Sequence, residues 1–166
     1  HIKGSLLEGC DRVFRSNRLI LGKEVEHFEH ELACYLGVPN VVSVGNGTDA
    51  LTLSLMAMGI KQGDKVITTA LSAPATAVAI LQAGATPVFV DVDPEHLTIK
   101  PEAIVRGLDS GVKAILPVHL YGNACAIDQV LELATNHGLM VLEDCAQSLG
   151  TSINGQQCGT FAQTSA

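Results

Sequence analysis

An α/β fold, with a mostly parallel sheet of about five strands and helices on both faces, is expected from three observations. Short apolar runs alternate with amphipathic segments of about ten residues, the pattern of repeated strand–helix units. The runs are rich in Val, Ile and Leu and show little polar alternation, as in strands buried on both faces. The 166 residues are 47% hydrophobic but only 4% aromatic and lack Trp, so the core must be aliphatic. That length supports one domain, 1–166, organised as amino-terminal helices over 1–37, β-α units over 38–147 and a glycine-punctuated tail over 148–166.

Residues 6–16 place Leu6, Leu7, Cys10, Val13 and Phe14 at helical spacing. A second helix over 23–36 carries Val25, Phe28, Leu32 and Tyr35 as an apolar stripe and is stopped by Gly37. Val41-Val42-Ser43-Val44 reads as a short strand, leading through Gly45-Asn46-Gly47-Thr48-Asp49 into a helix that ends at Met58. A strand over 66–69 is followed by a turn containing Pro74 and an Ala-rich helix to about Gln82, then a strand over 87–92. Pro101 suits the first position of a helix over 101–108. A strand over 113–120, a helix over 127–136 and a strand over 139–143 complete the β-α units. Beyond them Asn154-Gly155 marks a hairpin turn, and the last residues are expected to add neither helix nor strand.

A net charge of −7 and ten scattered Lys and Arg argue against nucleic acid as a partner. No apolar run is long enough to cross a membrane. Five cysteines without a C-x-x-C pair suggest neither a disulfide framework nor a zinc ribbon, so a reduced, cytoplasmic setting is expected.

Two stretches could carry chemistry. In the first, Gly45-Asn46-Gly47-Thr48 lies between a strand and a helix, so its N–H groups and the helix dipole could receive an anion such as a phosphate. The plainer reading is a β-α turn in which Thr48 caps the helix. It is neither a Walker turn nor G-x-G-x-x-G, whose third glycine would fall on Ala50. The second stretch is Leu139-Met140-Val141-Leu142-Glu143-Asp144-Cys145-Ala146-Gln147, an apolar strand ending in carboxylates and an amide at the edge where α/β ligands bind. Asp144 either caps the next turn or holds a cationic ring nitrogen, with Gln147 donating to a ring oxygen. The Glu143-Asp144 pair could instead bind Mg²⁺. His119 is either a ligand contact or a structural histidine, Cys145 reads as a small buried residue, and His27 and His30 as solvated. No metal site is expected from Cys145 and Cys158.

The segments 19–25, 28–29, 46–51 and 84–93, together with Val118-His119-Leu120-Tyr121-Gly122 and Glu143-Asp144-Cys145-Ala146-Gln147, resemble the DegT/StrS-type sugar aminotransferases in order and spacing. The resemblance covers nearly the whole chain. It implies an incomplete large domain of the fold type I pyridoxal phosphate enzymes, which mostly move an amino group from glutamate to a nucleotide-linked keto sugar. Gly47 and Thr48 would hold the cofactor phosphate, Asp144 the pyridine nitrogen and Gln147 the ring hydroxyl.

Two departures from the family pattern stand out. Ala73 occupies the position of an aromatic that stacks on the cofactor, a contact worth about 1 kcal/mol. The family's Phe-Ser-Phe…Lys segment, with its Schiff-base lysine, has no counterpart here. Lys65 and Lys113 stand at strand starts, Lys23, Lys61 and Lys100 look exposed, and none replaces it. The expectation is therefore the amino-terminal part of such an aminotransferase, either a fragment or a natural truncation, with no catalytic residue of its own. The alternative is a non-catalytic binding module. The exposed sheet edge implied by either reading predicts a homo-oligomer.

Overall fold

The strand order β2-β1-β3-β4-β7 defines a five-stranded parallel sheet in the computed structural model, which describes residues 2–166. The chain divides into two compact units, His1–Ser43 and Val44–Ala166. The sheet belongs to the second, built from β1 (Lys65–Thr69), β2 (Thr86–Val90), β3 (Val112–Ile115), β4 (Met140–Glu143) and β7 (Thr164–Ser165). A separate antiparallel hairpin joins β5 (Ser152–Ile153) to β6 (Gln156–Gln157).

Strand side chains alternate between two helical layers, as the pleat requires. Val66, Ala114, Leu116 and Leu142 pack with α3 (Gly47–Ala57) and α4 (Pro74–Gln82) through Leu51, Leu55, Ala79 and Ile80. Ile67, Ile115 and Val141 pack on the other face with α5 (Pro101–Gly107) and α6 (Ile127–His137) through Ile104, Ile127 and Val130. The expected α/β class with helices on both faces is thus present.

The first unit consists of α1 (Ile2–Ser16) and α2 (Lys23–Leu36). Gly37 ends α2 in the left-handed conformation at φ 71°, its N–H returning to the Ala33 carbonyl. Arg12 and Glu24 form a two-pronged ion pair at 2.7 and 3.0 Å. Neither helix buries a residue. Of the stripe expected on α2, Val25 and Leu32 are half-buried, while Phe28 and Tyr35 are 54% and 56% exposed.

Three expected features differ from the structure. Residues 41–44 form no strand, because no described strand offers them a ladder, and Val42 is exposed. The sheet reaches five strands by another route: Thr164–Ser165, in the tail expected to lack regular structure, pairs in parallel with Leu142 and Glu143. The strand expected over 113–120 ends at Ile115, since Pro117 has no N–H to donate. Beyond it a single bridge joins Val118 to Asp144, and Leu120–Gly122 forms a 3-10 turn. The predicted hairpin is present, with Asn154 and Gly155 at φ 52° and 84°, as a primed turn requires.

Candidate functional site

The end of β4 places two consecutive carboxylates on opposite faces of the sheet, and their surroundings differ completely. Glu143 continues the face of Val141 and is fully buried. Its Oε1 accepts the Phe161 and Ala162 N–H groups at 2.9 and 2.8 Å, and its Oε2 accepts Gly159 N–H at 2.9 Å and His119 Nε2–H at 3.1 Å. Burial by itself would raise the Glu143 pKa, yet the bonds from His119, Ala162 and Gly159 together outweigh it and hold the group below the usual carboxylate range. Four donors use the acceptor capacity of one carboxylate. The Glu143-Asp144 pair is therefore not the open oxygen cluster that Mg²⁺ needs, and Glu143 serves instead to tie residues 159–162 to β4. Gly159 permits this close approach: at φ 89°, a Cβ there would lie 3.2 Å from both Cys145 Sγ and Ser165 Oγ.

Asp144 faces the α3–α4 layer. It is 4% exposed, and its Oδ2 accepts from Thr76 Oγ1 at 2.9 Å while Oδ1 accepts Ala146 N–H at 3.2 Å. The backbone locks it in register, with Asp144 N–H donating to Pro117 O and His119 N–H to Asp144 O. Burial pushes its pKa up, opposed by the Thr76 and Ala146 bonds and by His119. No ion pair to Asp144 exists among the described residues. A buried carboxylate in that condition suits a cationic group placed against it.

Gln147, on the exposed turn after β4, accepts Tyr121 N–H on Oε1 at 2.9 Å. A backbone N–H can only donate, so the amide is oriented and its NH₂ faces elsewhere as a donor. Tyr121 adopts φ 57°, uncommon for a non-glycine residue, and is exposed. Thr151 Oγ1 donates to Gly122 O at 3.2 Å and closes the loop around it.

At the start of α3 the cap is Asn46, not Thr48. Asn46 Oδ1 accepts Asp49 N–H at 2.9 Å and its Nδ2 donates to Asp49 Oδ2 at 2.8 Å. The Asn-x-x-Asp spacing was the available signal for this cap. Gly47 and Thr48 thus occupy the first two helical positions, whose N–H groups no helical carbonyl can reach. A Cβ on Gly47 would meet no atom within 4 Å, so space is open there. The turn fits an anion. No hydrogen bond joins it to Asp144 or Gln147 among the described residues, although α3 packs against β4 and β7.

His119 proves structural. It is fully buried, its Nδ1 accepts Cys125 N–H at 3.1 Å, and Nε2 serves Glu143. Burial pushes the Cys145 thiol up to about 12, with Glu143 adding to the effect, so that sulfur is inert at neutral pH. His27 and His30 are exposed. Lys65 pairs with Asp109 at the start of β1, Lys23, Lys61 and Lys113 are exposed, and Lys100 is half-buried. Ala73 is the residue preceding α4 and is exposed. Thr76 was missed from the sequence, where nothing marks one threonine in an alanine-rich helix as a carboxylate partner.

The chain is similar to several known proteins. GDP-perosamine synthase of Vibrio cholerae is 42% identical over 144 residues, which are 87% of this chain and 39% of that protein. The crystal structure of S. venezuelae DesV in complex with a ketimine intermediate superimposes with a TM-score of 0.94 at 38% identity, covering 99% of this chain and 44% of that one. NtdA of Bacillus subtilis, solved with the cofactor PMP bound, gives a TM-score of 0.87 at 34% identity over 92% of this chain and 35% of its own. The chain thus spans less than half of each protein. All 166 residues match the profile of one family, over a fold that its solved members share, and the chain belongs to the DegT/DnrJ/EryC1/StrS aminotransferase family.

Proposed function

We propose that this chain forms the cofactor-binding part of a pyridoxal phosphate aminotransferase acting on nucleotide-linked keto sugars, with glutamate as amino donor. Asp144 carries the reading: it is a buried carboxylate whose charge no cation balances among the described residues. In this assignment the N–H groups of Gly47 and Thr48 bind the cofactor phosphate at the positive end of α3. Asp144 holds a proton on the pyridine nitrogen, and the oriented Gln147 amide donates to the ring hydroxyl. When bound, the cofactor supplies an electron sink for the carbon that loses its proton. Ala73 offers no stacking ring, which reduces affinity several-fold. GDP-perosamine synthase, named above, supports the substrate class through the nucleotide-linked sugar in its name.

We further propose a homo-oligomer. Leu6, Phe14, Phe28 and Tyr35 are each more than half exposed on α1 and α2, and Val42 is exposed in a segment without a ladder among the described residues.

Pyridoxamine phosphate tests the cofactor assignment, because it binds without a covalent bond. Calorimetric titration of the purified protein is expected to give saturable binding that inorganic phosphate competes and that Asp144→Asn weakens about tenfold or more. An affinity unchanged by Asp144→Asn would remove the proposed role of that carboxylate.

A further inference from the structure

Asp144 does not stand alone on its face of the sheet. Thr76 Oγ1, 2% exposed, lies 2.9 Å from Asp144 Oδ2, and Ser72 Oγ lies 2.7 Å from Thr76 Oγ1. The loop after β1 and the first turn of α4 thus deliver two hydroxyls in line to one carboxylate oxygen.

The direction of this chain follows from proton counting. An ionised carboxylate only accepts, so the single Thr76 proton must point at Asp144. Thr76 Oγ1 can then only accept from Ser72, and the Ser72 hydroxyl becomes the donor. Ionised Asp144 therefore polarises both hydroxyls toward itself, and each bond strengthens the next. Thr76 also lies in the first turn of α4, where the helix dipole favours negative charge. Among the influences on Asp144, its bond is the largest that opposes the effect of burial, ahead of Ala146 N–H and His119.

We propose that Thr76, oriented by Ser72, is a positioning residue that holds Asp144 ionised and fixed in rotation for a cationic ring nitrogen. The proposal rests on the cofactor reading above. With Oδ2 held by Thr76 and Oδ1 by Ala146 N–H, the carboxylate plane cannot turn, and the remaining lone pairs are presented in a set direction. A purely structural Thr76 would satisfy the carboxylate but would not affect the recognition of one ring atom.

The experiment compares two ligands that differ at that atom: pyridoxamine phosphate and its carbocyclic analogue, with ring CH in place of the nitrogen. Binding is measured calorimetrically for the purified wild-type protein and for Thr76→Val, Thr76→Ser, Ser72→Ala and Asp144→Asn, with circular dichroism confirming the fold of each. Thr76→Val is expected to weaken pyridoxamine phosphate binding about tenfold and to leave the analogue within about twofold. Thr76→Ser should restore wild-type discrimination. Ser72→Ala should cost about threefold, and nothing further when added to Thr76→Val, because the two hydroxyls act as one unit. Equal weakening of both ligands by Thr76→Val, or discrimination matching wild type, would overturn the positioning role. If Asp144→Asn also discriminates as wild type does, the cofactor reading itself falls. If only Asp144→Asn abolishes discrimination, that reading stands and the role of Thr76 does not.

Discussion

Substituting Glu143 with Gln is expected to loosen the tail of the chain more than any surface change could. The carboxylate receives four N–H donors, two on each oxygen. Whichever oxygen becomes NH₂, two buried donors then face a donor. At about 1–3 kcal/mol for each donor left unsatisfied, the two together cost about 2–6 kcal/mol. For a chain of this size a loss near the middle of that range lowers Tm by about 8–16 °C.

The pH dependence has a definite sign. The folded pKa of Glu143 lies below its unfolded value, so its contribution is fully present above about pH 4.3 and is lost as pH falls through the folded value. Urea unfolding at a series of pH values should therefore show wild type and variant converging on acidification below that point. Amide exchange locates the effect: the N–H groups of Phe161 and Ala162, or of Gly159, should lose protection well before those of β1. A variant within about 1 kcal/mol of wild type at pH 7 would refute the four-donor account.

Two further predictions concern α3 and the thiols. Asn46→Ala removes the cap acceptor for Asp49 N–H and should cost about 1 kcal/mol, read as a Tm lowered by about 2–4 °C; an unchanged Tm would remove Asn46 from the capping role. Brief alkylation of the native protein at pH 8, read by peptide mass mapping, should label exposed Cys10 and Cys34 first. Cys145 is half-buried, and with its thiol pushed up to about 12 it should be thiolate in only about one molecule in ten thousand; labelling as fast as Cys10 would contradict that raised pKa.

The class of fold was legible because aliphatic strands and helical stripes have distinct periods, and those of β1, β2 and β4 end close to where their patterns end. What escaped was whatever depends on partners distant in sequence. Val41-Val42-Ser43-Val44 has every local property of a strand, but a strand is completed by its neighbour and none is available among the described residues. Thr164–Ser165 has no strand signature and becomes one because Leu142 and Glu143 present an open ladder. The candidate site divides in the same way. Asp144, Gln147 and the Gly47–Thr48 turn stand out as candidates by their positions at element ends. The Thr76 hydroxyl, 68 positions from its carboxylate, could not. Thr48 has a capping hydroxyl, yet the Asn46-x-x-Asp49 spacing is the one that closes on itself and caps α3.

The adjacency of Glu143 and Asp144 makes this end of β4 sensitive to insertion and deletion in a way that substitution does not reveal. Side-chain parity in a strand is strictly two, so a slip of one residue carries every side chain to the opposite layer. Moving the end of β4 by one position would bring Asp144 among the Glu143 donors with a side chain one carbon too short, and would aim Cys145 at Thr76. Length changes in the loop before β4 are thus tolerable only where the strand keeps its pairing of Ala114 with Met140 and Ile115 with Val141. Those two aliphatic pairs, remote from any ligand chemistry, act as the index marks that decide which carboxylate meets which surroundings.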